Sequence, residues 1–383
     1  MNTSGHRIAF LTPVFHPLIG GAETYTRSLL GALADRGHAV DVITCSQRDA
    51  PALEAMDGFS VHRAGPARPS GIRGLARWLR GFTGHALPVL RSLRADIVIA
   101  EYEAIVPASR YTRRTDTPLV ALTHDIVDLA SRIRCTGIVR GAGRYLLHER
   151  LLSVLRPDAV VSVSESTANV ARRLVRSPVT VALPGVDHVP DGPGPDPNST
   201  QVLFLGRLVP GKRPQDAVRA VALVRREIPE AHLLMVGEGP RPPTLPAWAR
   251  HLPNLPNDSE DLDRVIRTSA ALALPSLCEG WSLALTEAAA RGVPYAAYAI
   301  ASNRELHGLV QGGILVPEAD VTALARTLHQ LLVDRELRGR LGSTGRARTR
   351  GRLRWAATAA SVEAALDGLL RNRSRDDGPP QEP

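Results

Sequence analysis

Residues 275–294 read PSLCEGWSLALTEAAARGVP, and this stretch decides the fold. The apolar run Ala270–Leu274 feeds into Pro275, a turn carries Glu279 and Gly280, and a helical pattern begins near Ser282 and holds Glu287. Strand, turn and helix in that order make the crossing at which open α/β sheets take ligands, outside the carboxyl ends of the strands. The first turn of such a helix leaves backbone N–H groups without partners, which suits a phosphate. Glu279 and Glu287 bracket the helix start, one in the loop and one inside the helix.

Outward from this stretch the same alternation repeats. Towards the C-terminus, short apolar runs at Tyr295–Tyr298 and Ile314–Val316 and a helix at Val321–Val333 follow. A helical region at Leu337–Leu366 has breaks expected at Gly342, Gly345 and Gly351, with Trp355 as its apolar anchor. Towards the N-terminus lie strands at Gln201–Leu205 and Ala231–Val236, a helix at Ala217–Arg226, and a Pro-rich stretch from Arg241 to Pro256 with a short helix expected at Ala247–His251. A Pro/Gly-rich segment up to Thr200 reads as a linker, because it offers no period and few backbone donors. Before it the alternation begins again. Arg7–Leu11, a loop with Gly20, Gly21, Ala22 and Glu23, a helix closed by Gly37, and Ala39–Thr44 open a doubly wound unit. Further strands are expected at Phe59–Arg63, Asp96–Ala100, Leu119–Leu122 and Ala159–Val163, with Ser164 capping the next helix. Leu75–Leu93 reads as a helix interrupted by Gly81, Gly84 and Pro88.

Two units fit the 383 residues. The expected division is a first domain at 1–189, a linker at 190–200, a second domain at 201–349, a C-terminal helix at about 350–370 that completes the first domain, and a flexible tail at 371–383.

Composition narrows the function. Aromatic residues make up 4% and hydrophobic residues 44%, so the core rests on Ala, Leu and Val. Cys45, Cys135 and Cys278 give neither a disulfide framework nor metal-ligand spacing, and a reducing cytoplasm is expected. No apolar run approaches the roughly 18 residues of a membrane span, and the N-terminus reads as a first strand. The net charge is +9, and Lys212 is the only lysine. Arg63, Arg68, Arg73, Arg77, Arg80, Arg91 and Arg94 occupy a segment without acidic residues. With Trp78 and Phe82, that segment is a candidate for peripheral contact with an anionic membrane or for a basic rim around the acceptor. No nucleic-acid reading motif accompanies the charge.

The candidate chemistry collects at loop positions. Arg207 and Lys212 follow the first strand of the second unit and are placed to hold a diphosphate and stabilise it as it leaves. A carboxylate at Glu287 is a bidentate acceptor for a ribose diol, and Glu279 is an acceptor for sugar hydroxyls. Ala288, Ala289 and Ala290 leave room for close approach. His124 ends a buried strand beside Asp125 and is placed to reach the sugar from across the cleft. Gly21 and Ala22 offer N–H groups, while Glu23 complements a helix dipole. The Asp261–Asp263 pair reads as capping and surface charge. GxGxxG, GxSxG and Walker patterns are missing.

Seven motifs stand in one order: GGAE at 20–23, His124-Asp125, Val163-Ser164, PGVD at 184–187, GRLVPGK at 206–212, GEGP at 237–240, and the two glutamates 279 and 287. Together they resemble the retaining glycosyltransferases of family 4, which have the GT-B fold of two Rossmann-like domains facing a cleft. The resemblance implies a nucleotide-diphosphate sugar donor (UDP-, GDP- or dTDP-linked), no cofactor and no metal. It implies that Arg207 and Lys212 hold the diphosphate, that Glu287 binds ribose, and that Glu279 with the backbone of Gly280, Trp281, Ser282 and Leu283 holds sugar and phosphate. Gly21 would approach the diphosphate and His124 would face the sugar. The acceptor is implied to lie near 20–27 and 101–128, and to be a hydroxyl of a small natural product or aminocyclitol, a glycolipid or a polysaccharide precursor. The implied location is cytoplasmic, with possible peripheral contact at the inner face of the membrane. A front-face retaining route fits the missing carboxylate nucleophile. Pro184 stands where the family has Asn, and Asn303 and Arg304 precede Glu305 where it has smaller residues. Two other readings use the same fold: an enzyme of another type, such as an epimerase or phosphorylase, and a non-catalytic nucleotide-sugar-binding component of an assembly pathway.

Overall fold

The structure, a computed structural model, describes residues 5–376 apart from 49, 70–73, 187–188, 193 and 241. Arg73, Asp187 and the last seven tail positions therefore lie outside the described residues.

Eight strands form the first sheet: β1 Arg7–Leu11, β2 Ala39–Thr44, β3 Leu53–Met56, β4 Phe59–Arg63, β5 Ile97–Glu101, β6 Leu119–Thr123, β7 Ala159–Ser162 and β8 Val179–Val181. Their order is β3-β4-β2-β1-β5-β6-β7-β8. Every pairing is parallel except β3 with β4, an antiparallel edge hairpin that Asp57 and Gly58 turn at positive φ. That hairpin was not expected from the sequence, because LEAM carries little strand preference of its own. Helices α1 Gly21–Ala34, α2 Leu75–Leu93, α3 Ile105–Thr115, α4 Leu129–Thr136, α5 Ile138–Leu155 and α6 Glu165–Leu174 connect the strands. The chain steps from β4 back past β1 to β5, so the order reverses between β1 and β5.

The second sheet holds β9 Gln201–Leu205, β10 His232–Val236, β11 Ala249–Leu252, β12 Ala271–Leu274, β13 Tyr295–Tyr298 and β14 Gly313–Val316, in the order β11-β10-β9-β12-β13-β14 and wholly parallel. Its helices are α7 Pro214–Val224, α8 Glu260–Arg267, α9 Leu283–Ala290, α10 Ala301–Val310, α11 Val321–Val333 and α12 Arg335–Arg352, and α13 Trp355–Asp376 ends the described chain. Here the order reverses between β9 and β12. Central strands such as ALAL of β12 are buried throughout, which is why they read as unbroken apolar runs.

Four sequence expectations are corrected. The short helix expected at Ala247–His251 is strand β11, which adds a parallel edge to β10. Helix α2 runs unbroken through Gly81, Gly84 and Pro88, its apolar face fixed by Trp78 stacked on Phe82. Helix α12 runs through Gly342 and Gly345, because those glycines permit contact and do not break the helix. A Cβ at Gly342 would lie 2.1 Å from the Gly292 carbonyl oxygen, and one at Gly345 would lie 2.8 Å from the Gly312 Cα. The break falls instead at Leu353 and Arg354, and residues 371–376 continue α13 where a loose tail was expected.

Helix α13 packs on α1 of the first half. His6 pairs with Asp367 at 2.7 Å, and His38 Nε2 lies 3.3 Å from Glu363. The described residues of segment 190–200 have no helix or strand, yet arginines fix the segment: Arg267 and Arg350 donate to the Pro190 carbonyl at 2.9 and 2.7 Å, and Arg346 donates to Gly192 at 3.1 Å. Part of the arginine excess therefore serves the backbone. Arg63, at the start of the basic segment, is buried and donates to Pro51 and His16 carbonyls. Trp78, Phe82 and Leu90 lie in the core, and Arg77, Arg80, Arg91 and Arg94 stay exposed. Among the described residues no helix is long and apolar enough to cross a membrane.

Candidate active site

The two order reversals face each other, and a cavity of about 380 Å³ lies between the carboxyl ends of β1, β5, β9 and β12. Gly21, His124, Arg207, Lys212, Glu279, Gly280, Trp281, Leu283 and Glu287 all line it. Residues separated by up to 266 positions, from Gly21 to Glu287, thus share one space.

On the second-half wall, β9 ends at Leu205, and Gly206, whose φ of 150° suits glycine, releases the chain towards Arg207 and Lys212. Lys212 Nζ pairs with Glu279, and the two side chains are 18% and 7% exposed. The pair fixes both groups at the cavity and keeps either from being a buried lone charge. Arg207 is exposed and makes no ion pair among the described residues. Helix α9 starts after Ser282, whose hydroxyl accepts from the Leu285 N–H at 3.4 Å. Ser282 is therefore a buried cap and does not line the cavity, in contrast to its neighbours. Trp281 donates its indole N–H to Thr286 at 3.0 Å, which holds the turn closed. Glu287 is 2% exposed, so it is no surface carboxylate. Its Oε1 accepts from the Asn257 amide at 3.0 Å.

On the first-half wall, His124 Nε2 meets Glu101 Oε2 at 2.5 Å, and Thr26 donates to the same carboxylate oxygen at 3.2 Å. The imidazole stacks on Tyr102, with centroids 5.7 Å apart, and meets Tyr25 edge-on at 5.2 Å. Tyr25 in turn donates to the Ala182 carbonyl at 2.8 Å and packs edge-on against Trp355. The C-terminal helix thus supports His124 through Tyr25, which lies between Trp355 and the imidazole. Glu23 folds back over Gly20, where a Cβ would lie 2.3 Å from its carboxylate. Burial, with Glu101 nearby, raises the Glu23 carboxyl above its usual range. Arg132 donates to the Asp125 carbonyl at 2.6 Å and to Glu149 at 2.7 Å, tying α4 to the His124-Asp125 loop. Arg68 forms a two-pronged pair with buried Glu103 at the cavity edge.

The walls touch. A Cβ at Gly280 would lie 1.5 Å from the His124 carbonyl oxygen, and one at Gly21 would lie 3.7 Å from Leu283. Asn257 donates to Thr24 at 2.9 Å as well as to Glu287. Glu305 on α10 accepts the N–H groups of Glu165 and Ser166 at 2.7 and 2.9 Å, where they open α6 of the other half. Asn303 is buried and donates to the Tyr298 carbonyl, and Arg304 is exposed. Neither lines the cavity, and the residue of that group that reaches the other half is Glu305. Pro184 does line it, and Gly185 beside it packs against Trp355.

Sequence reasoning missed Glu101 as the partner of His124 and Asn257 as the link between Glu287 and Thr24. Glu101 was visible as a carboxylate directly after a buried strand. Asn257 sat in a Pro-rich stretch without periodicity, where nothing marked it. Asp263 is also more than surface charge: it accepts from Arg267 at 2.7 Å and from fully buried Arg291 at 2.8 Å, which holds its carboxyl below the usual range. Among the described residues no group of three His, Cys, Asp or Glu side chains is arranged to hold a metal ion.

Comparison with known proteins gives the same picture. The family model "Glycosyltransferase Family 4" matches residues 19–189, and "Glycosyl transferases group 1" matches residues 189–348. The chain is 28% identical to a D-inositol 3-phosphate glycosyltransferase of Stackebrandtia nassauensis, over 93% of this chain and 88% of that protein. It is 27% identical to one of Kineococcus radiotolerans, over 98% of each. In structure it resembles a sucrose-phosphate synthase of Thermosynechococcus elongatus, with a TM-score of 0.83 and 20% identity over 96% and 100% of the two chains. It also resembles Anabaena HepE in complex with UDP and glucose, with a TM-score of 0.73 and 17% identity over 95% and 100%.

Proposed function

The chain belongs to the family 4 glycosyltransferases of GT-B fold and uses a nucleotide-sugar donor, and from that premise we propose retaining, metal-independent transfer from a UDP-sugar to a hydroxyl of a small cyclitol-like polyol. The observation that carries this reading is the single cavity in which Lys212–Glu279, Arg207 and Glu287 face His124–Glu101. UDP is the preferred nucleotide because a structural neighbour binds it, and the polyol acceptor follows the names of the relatives.

In this reading the ribose diol sits on the Glu287 carboxylate, with Asn257 orienting that carboxylate. The diphosphate lies over Arg207, Lys212 and the first turn of α9. Lys212 exchanges its carboxylate partner Glu279 for the more highly charged diphosphate, and Glu279 is then free to accept from sugar hydroxyls. His124, oriented by Glu101 and the two tyrosines, faces the transferred sugar. As the bond from the anomeric carbon to the phosphate oxygen breaks, negative charge gathers on that oxygen beside Arg207 and Lys212. The acceptor hydroxyl attacks from the same face and gives its proton to that oxygen. The products are a glycoside of unchanged anomeric configuration and a nucleoside diphosphate. The 1–189 half carries the acceptor, the 201–349 half the donor, and the reaction runs in the cytoplasm.

Mass-spectrometric detection of transfer tests this reading. The protein is offered UDP-, GDP- and dTDP-sugars with pooled polyols, with and without chelator, beside Lys212→Ala. Chelator-insensitive transfer that is lost in the variant is expected. Inversion at the anomeric carbon, or a covalent sugar adduct on a side chain, overturns the mechanism.

A further inference from the structure

Cys135 lies in the last turn of α4, on the first half, and Cys278 sits in the loop between β12 and Glu279, on the second. The two thiols meet across the junction of the halves. Backbone contacts build the meeting. The Gly211 carbonyl accepts the Leu277 N–H at 2.9 Å, and a Cβ at Gly211 would lie 3.5 Å from Cys135 Cβ and 4.0 Å from its sulfur. Cys135 therefore rests against the turn that presents Lys212, while Cys278 is anchored beside that turn through its neighbour. Helix α4 is itself pinned by Arg132, which is 3% exposed and bonded to the Asp125 carbonyl and to Glu149. The glycosyl-transfer chemistry uses neither sulfur.

We propose that Cys135 and Cys278 form a redox-modification site, at which peroxide converts the thiol pair to a disulfide that clamps α4 to the donor-binding loops and stops turnover. The environment favours the first step: the Cys278 S–H and the Arg132 guanidinium both stabilise a thiolate on Cys135, which holds that thiol below its ordinary range. The Cys135 thiolate attacks one peroxide oxygen, the O–O bond breaks, and hydroxide leaves to take up a proton. The Cys278 sulfur then attacks the sulfenic sulfur, the S–O bond breaks, and the departing hydroxide takes the Cys278 proton. Two thiols and one hydrogen peroxide give one disulfide and two waters. Cys278 precedes Glu279, and Glu279 holds Lys212, so the new bond fixes both donor-binding loops to the first half. Gly280 already lies against the His124 carbonyl, which leaves no slack for a tethered donor loop to admit donor or release nucleotide.

The test uses the full chain treated with hydrogen peroxide, blocked at remaining thiols and mapped by peptide mass spectrometry without reduction. A linked peptide pair containing Cys135 and Cys278 is expected. Donor turnover should fall roughly tenfold or more, as expected when wall opening is blocked, and dithiothreitol should restore it. Cys135→Ser should keep its turnover under the same dose, and Cys45→Ser should respond like the wild type, because Cys45 is buried beside Trp78 elsewhere in the first half. Cys278→Ser serves as the second variant should Cys135→Ser fold poorly. Oxidation of other sulfurs with no Cys135–Cys278 link overturns the proposal, as does a linked protein that turns over at the unmodified rate. The linked-peptide readout needs no substrate, so its failure is distinct from failure of the glycosyl-transfer reading.

Discussion

Gly280→Ala probes whether the contact between the two walls is the working arrangement. The backbone at 280 lies outside the left-handed region, so alanine fits the local conformation. What it meets is the other half. The new Cβ would stand 1.5 Å from the His124 carbonyl oxygen, 2.7 Å from its carbon and 3.3 Å from Asp125 Cα. All three are backbone atoms that no rotamer change can move. Restoring ordinary contact near 3.4 Å requires the walls to part by 3.4 − 1.5 = 1.9 Å. Displacement of a reacting group by about 1 Å costs on the order of 100-fold in rate. The variant should therefore lose about 100-fold or more in kcat/KM, or about 2.7 kcal/mol at ~1.36 kcal/mol per tenfold. Nucleotide affinity should change by less than about threefold, because Arg207, Lys212 and Glu287 all lie on one half. Initial rates by mass spectrometry, nucleotide binding by calorimetry and a thermal melt separate these terms. A variant that turns over within threefold of the wild type would refute the reasoning, since chemistry would then proceed with the walls apart.

The remaining predictions concern the donor, the junction and pH. Glu287→Gln keeps the shape but removes the charge that the proposed function assigns to the ribose, so nucleotide affinity should fall about 10- to 100-fold, the ~1.5–3 kcal/mol of charge-assisted hydrogen bonds. Calorimetry checks this, and unchanged affinity with lowered kcat would move Glu287 out of the ribose role. Glu305→Ala strips the opening N–H groups of α6 of their acceptor from the other half and should cost about 1–2 kcal/mol, by analogy with a lost cap. Urea unfolding should show this loss, and limited proteolysis should cut the 190–200 segment faster. Burial holds the imidazoles of His16, His38 and His307 below the usual range. In the folded state they are neutral where the unfolded chain would bind protons. Stability is therefore fully present above the unfolded value of about 6.5 and is lost as pH falls from there towards the folded values. Denaturation midpoints between about pH 7.5 and 5 should decline, and a midpoint that rises on acidification would contradict the buried neutral state.

The order of the motifs, the two α/β halves and nearly all the parallel strands were legible in the sequence. Buried parallel strands are short unbroken apolar runs, and the loops at their carboxyl ends carry polar residues of identifiable chemistry, so ALALP before Glu279 or LVALT before His124 could be read from neighbours in the chain. The cations and carboxylates that line the second-half wall of the cavity, Arg207, Lys212, Glu279 and Glu287, belong to the same level. What the tertiary structure decided is every relation that spans the two halves. Asn257 joins Glu287 to Thr24, Glu305 meets the start of α6, Cys135 meets Cys278, and Gly280 leaves room for a carbonyl 156 positions earlier. Glycines 342 and 345 show the same divide: along the chain they look like helix breakers, and only the backbone of Gly292 and Gly312 packed against them reveals why a Cβ is excluded. Local pattern encodes burial and turn chemistry because those forces act over a few residues. It cannot encode which two distant loops come into contact, because that is fixed by how the sheets stack and where each reverses its strand order.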